Sequence, residues 1–366
     1  MYIENKINEK LKKIVFLELK KDTDINGLTI KKDTPLPINL DELVEGIKEK
    51  DFEDTIDLVE IDKAIVYLLG IDSDFKYKNI YLEILQHSVK DMYKYIYSLS
   101  IESKNKGSNI NAYIYLHSLN EICNKTIESR FAETNVLESL YDKYFNKLND
   151  DEKSQIIQRI IKSYETIIAE DRLYAPDYYR LGYVNRALNK YIKSKLHFEK
   201  FLSYSDNEIL KEEVREILKE LDDYAKVESI RTYLSYAKFD QAYKLTQEVS
   251  SLYPRKDEIL YYKALCEYNL GFIEESIINL EEAISINKEQ EEYYNQLAIS
   301  NIALGNEEEA VKVYKNAMFY IKESYTINYN LGILLMNMGK DEYKKYLKKA
   351  YQLNPNEEIL KLIDLY

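Results

Sequence analysis

The stretch "YNLGFIEESIINLEEAISIN" at 268–287 returns after 34 residues as "IALGNEEEAVKVYKNAMFYI" at 302–321. Gly271 is matched by Gly305, Ser276 by Ala310, Leu280 by Tyr314 and Ala283 by Ala317. A domain built round one core has no reason to keep such a period, whereas a stack of like supersecondary units does. Inside a unit the apolar residues fall at three- and four-residue steps. Leu260, Ala264, Leu265 and Tyr268 precede Gly271; Ile273, Ile277, Leu280, Ala283 and Ile284 follow it. That spacing describes two antiparallel amphipathic helices. Gly271 sits where the chain must reverse through a left-handed residue, a conformation that costs a Cβ-bearing side chain roughly 1–2 kcal/mol. Small residues at 264, 276 and 283 let the helices approach to about 8–10 Å.

Composition agrees with a helical array. Of 366 residues 45% are hydrophobic and 31% charged, enough to bury a core, while nine Gly and five Pro are too few for a loop-rich or all-β chain. The net charge of −13 argues against nucleic acid as a main partner, because phosphate binding needs concentrated Lys and Arg. The basic clusters near the start ("KINEKLKK", "TIKK") are interleaved with acids and read as a solvated face. The opening "MYIENKINEKLKK" is too polar for a signal peptide, and no apolar run approaches about 18 residues, so a cytoplasmic protein without a membrane partner is expected. Cys123 and Cys266 make neither a disulfide framework nor a metal site and are expected to be buried, inert thiols. The 36 tyrosines, with no Trp, fit a chain also rich in Ile, Lys and Asn, as an AT-rich genome encodes.

The pattern resembles the tetratricopeptide repeat, a 34-residue helix–turn–helix unit with an aromatic at position 4, small residues at 8, 20 and 27, Gly near 15, Leu or an aromatic at 24 and often Pro at 32. Residues 257–290 supply Leu260, Ala264, Gly271, Ser276, Leu280 and Ala283, and 291–324 supply Tyr294, Ala298, Gly305, Ala310, Tyr314 and Ala317. The next unit, 325–357, has Leu331, Gly332, Gly339, Ala350 and Pro355, one residue being lost after the turn. Upstream, 175–208 matches at Tyr178, Gly182, Ser194 and Phe198. Unit 223–256 matches at Ala242 and Pro254 but puts Ile230 at a small position, which predicts a wider helix spacing. A divergent unit is expected at 93–126, and two long helices at about 128–148 and 152–170 complete a segment spanning 93–174. Residues 207–223 read as inserted helix running into the following unit. The tail 356–366 reads as a capping helix that covers the last repeat with Ile359, Leu360, Leu362 and Ile363. The fold class implied is all-α, a right-handed superhelical solenoid of such pairs over 175–366.

Residues 1–92 lie outside the resemblance and read as a separate cap or partner-binding domain. Asn26-Gly27 between apolar runs signals a short β-hairpin, and Pro35 and Pro37 break any helix there. "NLDELVEGIKE", "LVEIDKAIVYLLGID" and "KNIYLEILQHSV" read as helices. The first twenty residues are either helical, through Ile3, Ile7, Leu11 and Ile14, or turn to strand at Val15.

No chemistry stands out. No two glycines are closer than seven residues, so neither phosphate-cradling glycine motif can form, and H-E-x-x-H and C-x-x-C are missing. His87, His117 and His197 are scattered. The chain therefore reads as a non-enzyme without cofactor or metal. What the resemblance implies is binding of a protein or peptide in a concave groove lined by first helices at positions 2, 5, 9, 12 and 13. Those positions hold Tyr179, Tyr183, Arg186, Arg231, Tyr261, Leu265, Tyr268, Asn269, Asn295, Tyr329 and Asn337. Amides can hold an extended backbone and tyrosines offer rigid apolar area with a polar tip. Asn269 and Asn295 are expected to be replaceable without harm to the fold. The carboxylate clamp of chaperone-tail binders is not expected, since position 5 is Tyr, Val or Asn and position 9 is Tyr, Arg, Leu or Ile. A scaffold is the primary expectation, a cytosolic receptor for signalling peptides the second, and an enzyme with its site in 1–92 the third.

Overall fold

The computed structural model describes residues 2–25, 27–40 and 58–364. Asn26 and most of the helix expected at 39–49 lie outside those residues. The chain divides into two compact units, Met1–Val184 with Ser203–Ser205, and Asn185–Leu202 with Asp206–Tyr366.

The first unit begins with α1 (Tyr2–Asn8) and a 3₁₀ turn (Glu9–Lys13), then leaves helix for strand β1 (Ile14–Leu17). Both alternatives for the first twenty residues are thus realised in succession. Strands β2 (Thr23–Ile25) and β3 (Leu28–Ile30) form the expected hairpin, with Gly27 at φ +88° and its N–H donated to Asp24 Oδ1 at 3.1 Å. A second antiparallel pair was not expected: β4 (Leu36–Asn39) lies along β1, with Phe16 opposite Pro37. Pro37 is tolerated because each sheet has two strands among the described residues, so its missing donor meets no further strand there.

Helices α2 (Leu58–Ile71) and α3 (Lys78–Ser88) follow. Residues 64–70 of α2 are buried throughout, as the apolar run predicts. Then come α4 (Met92–Asn105), α5 (Asn109–Ile122), α6 (Ile127–Tyr144), α7 (Asp150–Glu170) and α8 (Ala175–Ala187). Gly70 marks the closest approach of α2 to α5: a Cβ there would stand 2.2 Å from the Ile114 carbonyl oxygen. Helices α6 and α7 start on reciprocal caps rather than on a glycine turn. Thr126 and Ser129 exchange hydrogen bonds in the first case, Asn149 and Glu152 in the second.

In the second unit, α9 (Tyr191–Tyr204) is followed by α10 (Glu208–Ser235), one 28-residue helix that fuses the inserted stretch to the first helix of the next pair. The pairs then run α10/α11 (Phe239–Glu248), α12 (Lys256–Leu270)/α13 (Ile273–Ile286), α14 (Glu291–Ala303)/α15 (Glu307–Tyr320) and α16 (Tyr325–Asn337)/α17 (Tyr343–Leu353). Each helix packs on the next, and α10 touches α12 as α12 touches α14. Crossings are made by residues too small to hold helices apart: Ala264, Ser276, Ala298, Ala310, Ala317 and Ala350 have no exposed surface. Ile230 is accommodated against Ala242 and Cys266, both fully buried. The end helix α18 (Glu357–Asp364) closes the stack with Ile359 fully buried and Leu362 and Ile363 packed on the same cluster. Leu360, expected to share that role, instead faces outward at 38% exposure.

The feature that unifies the array is its turn. Position 15 is left-handed at Gly107, Asn189, Ala237, Gly271, Gly305 and Gly339, with φ between 54° and 91°. At each of these turns the N–H of position 16 reaches back to the carbonyl of position 11 at 2.8–2.9 Å: Ser108 to Ser103, Lys190 to Asn185, Lys238 to Tyr233, Phe272 to Glu267, Asn306 to Asn301 and Lys340 to Leu335. The N–H of position 15 bonds the carbonyl of position 12 at 2.9–3.2 Å. This is the Schellman arrangement, which satisfies two otherwise orphaned carbonyls at once. Six turns in one register, small residues at the crossings and packing of each helix on the next give these pairs the tetratricopeptide fold.

Candidate functional site

First helices of the second unit carry most of the expected groove residues, and their side chains are not equally available. Arg231 on α10 is taken up by the next pair: its guanidinium donates to Glu258 Oε1 and, through Nε, to Tyr262 Oη at 2.8 Å. Arg186 is held by Glu220 at 2.9 Å. Neither is an unpaired cation waiting for an anion. The sequence could not show this, because the partners lie 27 and 34 residues away.

On α12, Tyr261 is half-buried, its ring 4.9 Å from that of Tyr293 on α14, so part of its role is to join successive pairs. Tyr293 Oη in turn donates to Asp257 Oδ2 at 2.9 Å, and hydrogen bonds from Tyr293 and Asn287 hold that carboxyl below its ordinary range although burial opposes this. Tyr268 is half-buried, and its hydroxyl has no partner among the described residues. Asn269 is exposed and donates one N–H to the Leu265 carbonyl at 2.8 Å, which leaves its side-chain oxygen unengaged among the described residues. Leu265 is half-buried beside it.

Asn295 on α14 is the most constrained of the set. Its Oδ1 accepts from Tyr314 Oη at 3.0 Å and from Asn330 Nδ2 at 2.6 Å, tying α14 to its own second helix and to the next first helix. Asn295→Ala would strand the hydroxyl of Tyr314, a residue only 2% exposed, so the expectation that this change spares the fold is corrected. Asn330 lies one position outside the groove offsets and was missed for that reason. The two amides, fixed against each other, leave Asn295 Nδ2 as donor and Asn330 Oδ1 as acceptor, neither with a partner among the described residues. Further along, Tyr329 stacks on Tyr325 at 5.7 Å, and Asn337 is exposed at the end of α16.

Tyr179 and Tyr183 belong to the first unit, where their rings meet edge to face at 5.0 Å. Of the cysteines, Cys266 is buried as expected, and burial beside Glu267 pushes its thiol up to about 12. Cys123 is only half-buried. No group of three or more His, Cys, Asp or Glu among the described residues could hold a metal, and no described helix is long and apolar enough to cross a membrane.

No protein-family model and no curated protein matches the chain. Solved structures do. YrrB, a tetratricopeptide protein described as having an unusual peptide-binding site, shares 14% identity over 56% of this chain and 100% of its own, with a TM-score of 0.37. MamA shares 17% over 52% of this chain and 96% of its own, with a TM-score of 0.36. PilW, a type IV pilus biogenesis factor, shares 13% over 63% and 97%, with a TM-score of 0.40. The fold assignment rests on the turns and crossings above.

Proposed function

We propose that the chain is a non-enzymatic, cytoplasmic protein- or peptide-binding scaffold, and that an extended peptide lies along α12, α14 and α16. The observation that carries this reading is the Asn295–Asn330 pair, which presents one fixed donor and one fixed acceptor from neighbouring first helices. A peptide bond offers the complementary acceptor and donor, so the pair can hold main chain whatever the side chains. On the preceding first helix, Asn269 adds an acceptor and Tyr268 a half-buried ring whose hydroxyl has no partner among the described residues. The arginines are already ion-paired with Glu258 and Glu220, so their charge is offset before any terminal carboxylate arrives.

The test begins with selection from a random linear-peptide library on the whole chain. Selected peptides are then titrated against wild type and an Asn269→Ala/Asn330→Ala variant, which leaves the Tyr314–Asn295 bond in place. Loss of hydrogen bonds worth roughly 0.5–1.5 kcal/mol each predicts affinity about tenfold weaker. Unchanged affinity in a folded variant would remove these amides from the site.

A further inference from the structure

The first unit contains a cavity that the groove reading does not use. It measures about 280 Å³ and opens between α5, α6 and α7. One wall is aromatic: Tyr113 and His117, a helical turn apart on α5, stack with ring centroids 6.0 Å apart and planes 6° from parallel. Glu133 of α6 receives a hydrogen bond on each oxygen, from His117 Nδ1 at 2.9 Å and Asn120 Nδ2 at 2.6 Å. Burial works against its ionisation, but those bonds and the nearby Arg159 hold the carboxyl below its usual range, so it is charged at neutral pH.

The cations lining the cavity are not alike. Arg130 is spent on Glu170 and Lys125 on Glu121. Arg159 of α7 has no carboxylate within ion-pair distance among the described residues; its one hydrogen bond runs from Nη2 to Tyr113 Oη at 2.6 Å. Four of its five N–H donors therefore remain. Beyond Tyr113, Leu137 and Arg159 lies an annex of about 40 Å³, mostly apolar, walled by Ile3, Ile7 and Ile156 and lined also by Glu4 and Gln155. At about 10–15 Å³ per atom-sized probe it accepts roughly three atoms, the size of an isopropyl group. Helix α1 closes it, with Ile3 only 3% exposed and the Tyr2 N–H donated to Glu152 at 2.6 Å.

We propose that this cavity is a binding site for a free amino acid with a small branched apolar side chain, its carboxylate on Arg159, its ammonium on Glu133 and its side chain in the annex. A simple anion would meet the ionised Glu133 beside Arg159, and a simple cation would meet Arg130 and Arg159. A zwitterion answers both signs at once, and the annex limits the side chain. The site lies wholly within the first unit and stands or falls separately from the peptide groove.

The experiment is calorimetric titration of the full chain with L-valine and L-leucine, alongside isovalerate and isoamylamine, which carry one charge each. Binding of an amino acid, with both single-charge analogues at least about tenfold weaker, is expected. Arg159→Gln should weaken it by about tenfold or more, and Arg159→Lys, which keeps charge but not the fork, should fall between. Because Arg159 also donates to the buried Tyr113 Oη, the melting temperature of each unliganded variant is measured first, and Arg159→Lys, which keeps a donor there, is the control for folding. The proposal is overturned if neither amino acid binds, if Arg159→Gln binds equally well, if isovalerate binds as tightly as L-valine, or if isoamylamine binds as tightly as L-leucine.

Discussion

Residues 257–357 and residues 93–170 are both built of antiparallel helices, yet they set helix length by different devices. In 257–357 each first helix ends on a left-handed glycine whose hydrogen bonds fix where the second begins, so first helices run 13–15 residues. In 93–170 only the α4/α5 turn, at Gly107, is of that kind; α6 and α7 open on reciprocal caps and reach 18 and 21 residues. A cap fixes where a helix starts and leaves its end unspecified, whereas the Schellman turn fixes both. The packing follows. Where the tempo is strict, crossings are lined by Ala and Ser without exposed surface, although a cavity of about 350 Å³ lies beside them among α13, α14 and α15. Polar side chains enter the interface in both, as Asn279 on Glu267 in the array and Asn120, Glu133 and Glu138 in 93–170, where Arg180 and Tyr164 are both bonded to Glu138. A cavity opens between the longer helices.

The largest effect expected on that contrast comes from glycines used for closeness rather than for turning. Gly70→Ala places a methyl 2.2 Å from a backbone oxygen of α5, which cannot rotate away. We expect a loss of about 3 kcal/mol or more in chemical denaturation, carried by the first unit. Gly332→Ala also overpacks, but its nearest neighbour is the flexible end of Leu347 at 2.6 Å, so its cost should be less.

A pH-dependent effect of intermediate size tests the polar interior of the first unit. Asp177 has no exposed surface, and neither carboxylate oxygen has a hydrogen-bond partner among the described residues. Burial pushes its pKa up to about 8, with Arg130 opposing weakly. The folded chain therefore binds this proton more tightly than the unfolded chain, whose aspartate titrates near 4. Its contribution is full below about pH 4 and is lost as pH rises toward 8. Asp177→Asn should flatten this dependence and raise stability above pH 8, because the amide is as polar as the protonated carboxyl but carries no charge to desolvate. Stability curves of the two proteins that run parallel from pH 5 to pH 9 would count against it.

Smaller effects belong to the regular array. Gly332→Ala should destabilise by about 1–2 kcal/mol. Ala237 occupies the left-handed position where Gly271, Gly305 and Gly339 stand, at φ +54°. Ala237→Gly should relieve strain and stabilise by about 1 kcal/mol, read as a higher denaturation midpoint with unchanged slope. A loss of stability would mean that the turn at 237 is not held by the same balance as the others.

Those two positions also show what the sequence could and could not reveal. The 34-residue register was legible at Gly271, Gly305 and Gly339 because only glycine takes that conformation freely. At Asn189 and Ala237 the same backbone is imposed by the hydrogen bonds from Lys190 to Asn185 and from Lys238 to Tyr233, which composition does not announce. The β1–β4 pair was hidden for a related reason: its strands are joined by a long excursion through β2 and β3, and no turn motif marks it. In the groove, offsets located Tyr268 and Asn269 but could not tell that Arg231 was already paired, since helix periodicity orders residues within a helix and says nothing of what faces them from the next.

The peptide groove is tested most directly by where a bound peptide touches the second unit. A photoreactive benzophenone side chain is placed either at Tyr268 on α12 or at Ile278 on α13, which is 63% exposed. Each protein is irradiated with a library-selected peptide and the cross-linked fraction is measured. The account predicts cross-linking from position 268 and little from position 278. Cross-linking from 278 alone, in proteins that bind the peptide as wild type does, would contradict it.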